Sequence, residues 1–178
     1  MIHVGVVDDD ALVRRVLTTL LNTQDDISVT WAATDGDEAL NHLNSSNQPA
    51  VEAVLLDIQM PHIDGITLAT IIGTEFPQTA TLILTTFTDR QLVDKALAVG
   101  VNGFIAKEDS IESIAGAIRQ ALEGNIILSP KSGQHFRTTP SSTHTDDTPY
   151  DSNAQNKTQT SRSCTEFEYL SSREIEVL

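Results

Sequence analysis

The sequence predicts an α/β fold over about residues 1 to 128: a parallel sheet covered on both faces by helices. Three observations carry that expectation. Five short apolar runs alternate with amphipathic stretches, the order that produces strands joined by crossover helices. Several of the runs are almost wholly apolar, as strands buried on both faces require. The stretches between them repeat apolar residues at helical spacing and carry start and stop signals.

The strand candidates are His3 to Val7, Ile27 to Ala33, Ala53 to Ile58, Thr81 to Phe87 and Gly103 to Lys107. The first helix is expected to start with Asp10 as N-cap and to bury Leu12, Val13, Val16, Leu17, Leu20 and Leu21 along one face. A second helix runs through about Asp37 to Leu43, and a third follows an Asp64 cap. The fourth, about Arg90 to Val99, stops at Gly100; the fifth, about Ile111 to Glu123, stops at Gly124.

Beyond Pro130 the composition turns to Ser, Thr, Asn, Gln and Asp, and apolar periodicity disappears until Phe167. Too little apolar surface is available there to offset the chain entropy lost on folding, so residues 129 to 166 are expected to be a flexible linker. From Phe167 to Leu178 helical spacing returns, with Ser171 or Ser172 as an N-cap ahead of Glu174.

The formal net charge is -14. Residues 1 to 128 hold 18 acidic and 6 basic residues, against 7 and 5 in the remainder, so the acidity sits in the first segment. Nucleic-acid affinity rests largely on Lys and Arg displacing counterions, and this chain is ill suited to it. Cys164 stands alone and forms no internal disulfide. The Asp run from residue 8 interrupts any signal peptide, and no run of about 18 apolar residues exists. A cytoplasmic location without a membrane contact is therefore expected.

In a parallel sheet the carboxyl ends of the strands open on one edge, where ligands settle. Asp8 and Asp9 end the first strand candidate and Asp57 lies near the end of the third. Two carboxylates about 4 Å apart repel by about 4 kcal/mol at an effective dielectric near 20, so raised pKa values are expected there. A divalent cation relieves the repulsion, and a few oxygen ligands with room for water suit Mg²⁺. Thr85 and Lys107, at the ends of strands four and five, add a hydroxyl and an ammonium. Together these groups supply what phosphoryl transfer to a carboxylate needs. Taken singly, Asp10, Asp35 and Asp64 read as helix caps or solvated turns, and the five histidines show no metal-ligand spacing. Trp31 reads as a packing or edge residue.

The ordered segments Val6-Val7-Asp8-Asp9, Leu55-Leu56-Asp57-Ile58-Gln59-Met60-Pro61, Asp64-Gly65, Leu84-Thr85 and Lys107 resemble the receiver domains of two-component response regulators. The stretch Gly100-Val101-Asn102-Gly103-Phe104-Ile105-Ala106-Lys107-Glu108 is similar to the NarL/FixJ subfamily. The resemblance implies a flavodoxin-like five-stranded sheet of order 2-1-3-4-5 and Asp57 as phosphoacceptor. It implies Mg²⁺ held by Asp8, Asp9, Asp57 and the Gln59 carbonyl. It also implies phosphoryl contacts from Thr85, Thr86 and Lys107, and a switch through Thr85 and Phe104.

The partner so implied is a sensor histidine kinase, with a homodimer after phosphorylation; the chain would not be an enzyme in its own right. Thr86 stands where Ala or Gly is frequent, and Glu108 where many receivers have Pro. Leu170 to Leu178 resembles the start of a LuxR-type helix-turn-helix, here expected to be truncated, so that DNA would be bound only through a missing C-terminal domain. An amphipathic tail helix, or a receiver acting alone, is the competing expectation. A haloacid-dehalogenase-like phosphatase would need a second Asp where Gln59 stands, and a flavodoxin-like carrier would need a phosphate loop where Asp8 to Asp10 stand.

Overall fold

The computed structural model describes residues 1–86, 90–128 and 169–170, with the backbone alone for 90–93 and 169–170. The element order is β1 (Ile2–Val7), α1 (Ala11–Leu21), β2 (Ile27–Ala33), α2 (Gly36–Leu43), β3 (Ala53–Asp57) and α3 (Gly65–Glu75). It continues with β4 (Ala80–Thr85), α4 (Arg90–Ala98), β5 (Gly103–Ala106), α5 (Ile111–Leu122), β6 (Ile126–Leu128) and β7 (Tyr169–Leu170). One sheet holds all the strands in the order β2-β1-β3-β4-β5-β6-β7. β1 to β6 are mutually parallel, and β7 runs antiparallel to β6.

Side chains alternate across that sheet with period two and build a core on each face. On one face Val4, Val6, Leu55, Leu82, Leu84 and Ile105 meet Leu17 and Leu21 of α1 and Ile114 and Ile118 of α5. On the other, Val54, Leu56, Ile83 and Phe104 meet Ala39 of α2, Leu68 and Ile72 of α3 and Ala96 of α4. The expected α/β architecture is therefore present.

Two details depart from the sequence expectation. The parallel sheet has six strands rather than five: after the turn at Gly124, whose φ is +86°, Ile126–Leu128 pairs beside β5. Three residues are too few to display a period, so the sequence pattern does not mark this strand. The second departure is on α1. Leu17 and Leu21 are buried, but Leu12, Val16 and Leu20 are 69%, 44% and 41% exposed. These three lie one position, about 100°, around the helix from Val13, Leu17 and Leu21, and a helix resting on a flat sheet buries only the nearer row.

Asp10 and Asp64 act as the N-caps expected of them and Asp35 caps α2 rather than lying in a solvated turn, their carboxylates accepting from Leu12, Thr67 and Glu38 backbone N–H groups at 2.7, 2.8 and 2.9 Å. At the β2 edge the register shifts between Val4 and Gly5, and the Trp31 indole then lies directly over Gly5, where any Cβ would collide with it. The opposite side of the packing is the His42 ring of α2, parallel to the indole with centroids 5.1 Å apart. Trp31 is thus a packing residue. The linker expectation and the Ser171–Leu178 helix expectation fall outside the described residues, while Tyr169–Leu170, within the stretch of helical spacing, is extended. No helix among the described residues is long and apolar enough to cross a membrane.

Candidate functional site

Register brings the predicted residues together. Asp57 is the last residue of β3 and sits opposite Leu84, one position before Thr85. Thr85 ends β4 opposite Ala106, the last residue of β5, and the Lys107 N–H donates to the Thr85 carbonyl at 3.0 Å. β1 ends at Val7 opposite Leu56, so Asp8 emerges beside Asp57; its own N–H is held by the Ala33 carbonyl at 3.2 Å. Asp8, Asp57, Thr85 and Lys107, from four strand ends, therefore converge on one edge of the sheet.

Lys107 crosses this edge. Its Nζ lies 2.6 Å from Asp8 Oδ2 and 3.1 Å from Asp57 Oδ2. Asp8 is fully buried and Asp57 and Thr85 nearly so, whereas Asp9 is exposed. Asp8 Oδ1 accepts from the Asp10 N–H at 3.0 Å, but beyond its ion pair with Lys107 no hydrogen bond reaches Asp8 Oδ2.

Burial pushes the Asp57 carboxyl above its ordinary pKa, and the Asp8 charge adds to that rise; hydrogen bonds from Lys107 and the Gln59 backbone N–H oppose it without cancelling it. Desolvation pulls the Lys107 ammonium down, but its contacts with Asp8 and Asp57 outweigh this and its pKa is raised. The expected rise at the acidic cluster is thus present at Asp57, with desolvation rather than charge repulsion as the larger cause.

Ligand atoms of Asp8, Asp9 and Asp57 all lie within 4.8 Å of one another, close enough for one cation to be shared. Lys107 brings one positive charge to three carboxylates, and the buried Asp8 Oδ2 has further accepting capacity. The donor set is all oxygen and small, which fits Mg²⁺. Gln59 presents its backbone beside Asp57 and leaves its side chain exposed; Thr86, one residue past β4, is exposed next to the cluster. Phe104 does not touch solvent: it is fully buried in the core on the α3 and α4 face, and strand alternation puts Thr85 on that same face.

Two contributors were not visible in the sequence. The Arg14 guanidinium, on α1, donates to the Asp8 carbonyl at 2.6 Å and fixes the turn that carries Asp8 and Asp9. Gly65 opens α3 directly against the Asp57 backbone: a Cβ there would collide with the Asp57 carbonyl and come within 2.8 Å of Ile58 Cα. Its N–H donates to the Ile58 carbonyl at 3.0 Å, tying the loop after Asp57 back to the strand. The pairing Asp64-Gly65 was recognisable as a motif, but the reason for a glycine lies in this close approach.

Comparison with known proteins agrees with the geometry. The transcriptional regulatory protein LnrK of Bacillus subtilis is 31% identical over 131 residues, 74% of this chain and 58% of LnrK. The response regulator protein VraR of Staphylococcus aureus is 33% identical over 130 residues, 73% of this chain and 61% of VraR. The chain thus spans about three fifths of the length of these relatives. The signal receiver domain of a NarL response regulator from Mycobacterium tuberculosis superposes with a TM-score of 0.63 at 27% identity, covering 69% of this chain and 97% of that domain. The family described as the response regulator receiver domain matches residues 4–119, so this chain, with its acidic strand-end pocket and bridging lysine, belongs to the response regulator receiver family.

Proposed function

We propose that Asp57 accepts a phosphoryl group from a phosphohistidine on a partner sensor kinase, and that the modified receiver switches a transcription-regulating output region. The observation that carries this reading is the position of Lys107 Nζ, 2.6 Å from Asp8 and 3.1 Å from Asp57, at the strand ends. A carboxylate oxygen of Asp57 forms the new bond to phosphorus as the phosphorus–nitrogen bond of the donor breaks, and the imidazole leaves with that electron pair. Asp8, Asp9, Asp57 and the Gln59 carbonyl would hold Mg²⁺, which would supply charge neutralisation for the phosphoryl oxygens. Lys107 exchanges part of its ion pairing for the incoming phosphoryl oxygens, with the Thr85 hydroxyl and the Thr86 N–H as further donors.

The switch runs through Thr85 and Phe104, which share one face of the sheet. Phe104 carries no hydroxyl, so its contribution is packing alone. Moving an output region from about 1% to 99% active requires phosphorylation to favour the active form by roughly 5.5 kcal/mol. Homodimerisation of the phosphorylated form, a cytoplasmic setting and DNA contact through a C-terminal domain beyond the residues of this chain complete the reading. The chain takes part in its own phosphorylation and dephosphorylation without being an enzyme.

The test is labelling by acetyl phosphate with Mg²⁺, followed by mass spectrometry of the modified residue. Modification is expected on Asp57, with none in Asp57→Ala or when a chelator removes the metal. Undiminished labelling of Asp57→Ala rejects the assignment.

A further inference from the structure

The two edges of the parallel sheet are unlike. β2 carries polar Ser28 and Thr30, whereas β6 reads Ile126-Ile127-Leu128, with no charge and no proline to discourage pairing. The Ile127 N–H donates to the Asn102 carbonyl at 2.9 Å, and the Ile127 carbonyl faces Gly103, where a Cβ would come within 2.6 Å of it. Backbone groups of successive strand residues point to opposite sides, so Ile126 and Leu128 turn theirs to the outer edge. Such an edge is a template for another strand.

It is occupied. Tyr169–Leu170 lies antiparallel along it, with Ile126 opposite Leu170 and Ile127 opposite Tyr169. Because Ile127 is committed to the β5 side, Ile126 and Leu170 form the pair that exchanges both hydrogen bonds.

We infer that the outer edge of β6 is a docking strand for the chain's own segment at Tyr169–Leu170, which ties the residues that follow to the receiver by strand addition. The tie is made two strands from Phe104: Leu128 pairs in register with Phe104 and packs against the core that contains it. The occupant is the same chain for a reason of concentration. Residues 129–168 separate the two strands, and at up to about 3.3–3.6 Å per residue that length spans any distance on a small domain. A segment of the same chain meets the edge intramolecularly, whereas a second copy must do so at its concentration in dilute solution. The inference rests on strand pairing and stands whether or not Asp57 is the phosphoacceptor.

Amide hydrogen exchange followed by NMR on the full 178-residue chain tests it. The Ile126 and Leu170 amides are expected to be protected, together with Ile127. Leu170→Pro removes one donor of the pair and an extended segment's freedom to join an edge, and is expected to speed Ile126 exchange at least about tenfold. Ile127, bonded to Asn102 on the other side, keeps its protection, which shows that the receiver remains folded. An Ile126 amide that exchanges freely in the unaltered chain, or is equally protected in Leu170→Pro, overturns the inference. Protection of Ile126 that disappears on hundredfold dilution also overturns it, by assigning the edge to a second copy.

Discussion

Gly65 shows how a residue with no side chain controls the pocket. Its Cα faces the Asp57 carbonyl so closely that the smallest substitution must displace β3 or α3. Gly65→Ala is expected to cost about 1–3 kcal/mol, the usual range for an inserted methyl in tight packing, read as a lower urea midpoint with an unchanged slope. The same displacement moves the Asp57 backbone relative to Lys107 and, on the proposed function, is expected to weaken Mg²⁺ affinity in a parallel titration. Asp8, Asp9, Asp57, Thr85 and Lys107 were legible in the sequence because each follows or ends an apolar run, and strand ends of a parallel sheet share one edge. Arg14 was not legible, because its contact with the Asp8 carbonyl depends on how α1 turns back over β1. The cause of the raised Asp57 pKa was only half legible: sequence shows neighbouring charges, whereas desolvation depends on packing.

At the scale of elements, period and caps located β1 to β5 and α1 to α5, and the Asp10 and Asp64 caps fixed the starts of two helices. The apolar pattern of α1 was wider than the surface it covers. Leu17→Ala and Leu21→Ala are therefore expected to cost about 2–5 kcal/mol each, the range for large-to-small changes in a core. Leu12→Ala, Val16→Ala and Leu20→Ala, on the exposed row, are expected to stay within about 0.5 kcal/mol. Chemical denaturation of the five variants separates the two rows. β6 was invisible for the opposite reason, being an element shorter than the signal that identifies one.

For the whole molecule, acid stability follows from carboxylates that fold into partners. Asp26 is held below its ordinary pKa of 3.8 first by its hydrogen bonds with Arg119 of α5, at 2.6 and 2.8 Å, which join the start of β2 to the far end of the helix layer. Asp35 is lowered first by the Glu38 N–H, and Glu38, ordinarily 4.5, by Thr34. A folded pKa below the unfolded one gives stability that is present above the unfolded value and lost as pH falls through the folded value. Thermal stability is therefore expected to fall progressively below about pH 4.5, as these carboxylates are protonated down through their lowered values. Arg119→Ala removes the Asp26 share: the melting temperature at neutral pH falls, and the decline on acidification becomes shallower. Circular dichroism melts from pH 3 to 7 check both signs.

The indole at residue 31 is the molecule's lone tryptophan, clamped between a bare backbone and an imidazole face. Nature has thereby installed an optical gauge in the β1–β2–α2 corner of the sheet. Excited at its own absorption band, it emits from a dry, stacked setting in the native chain and from water once that corner opens, so a single fluorescence trace follows the seating of α2 with no attached dye.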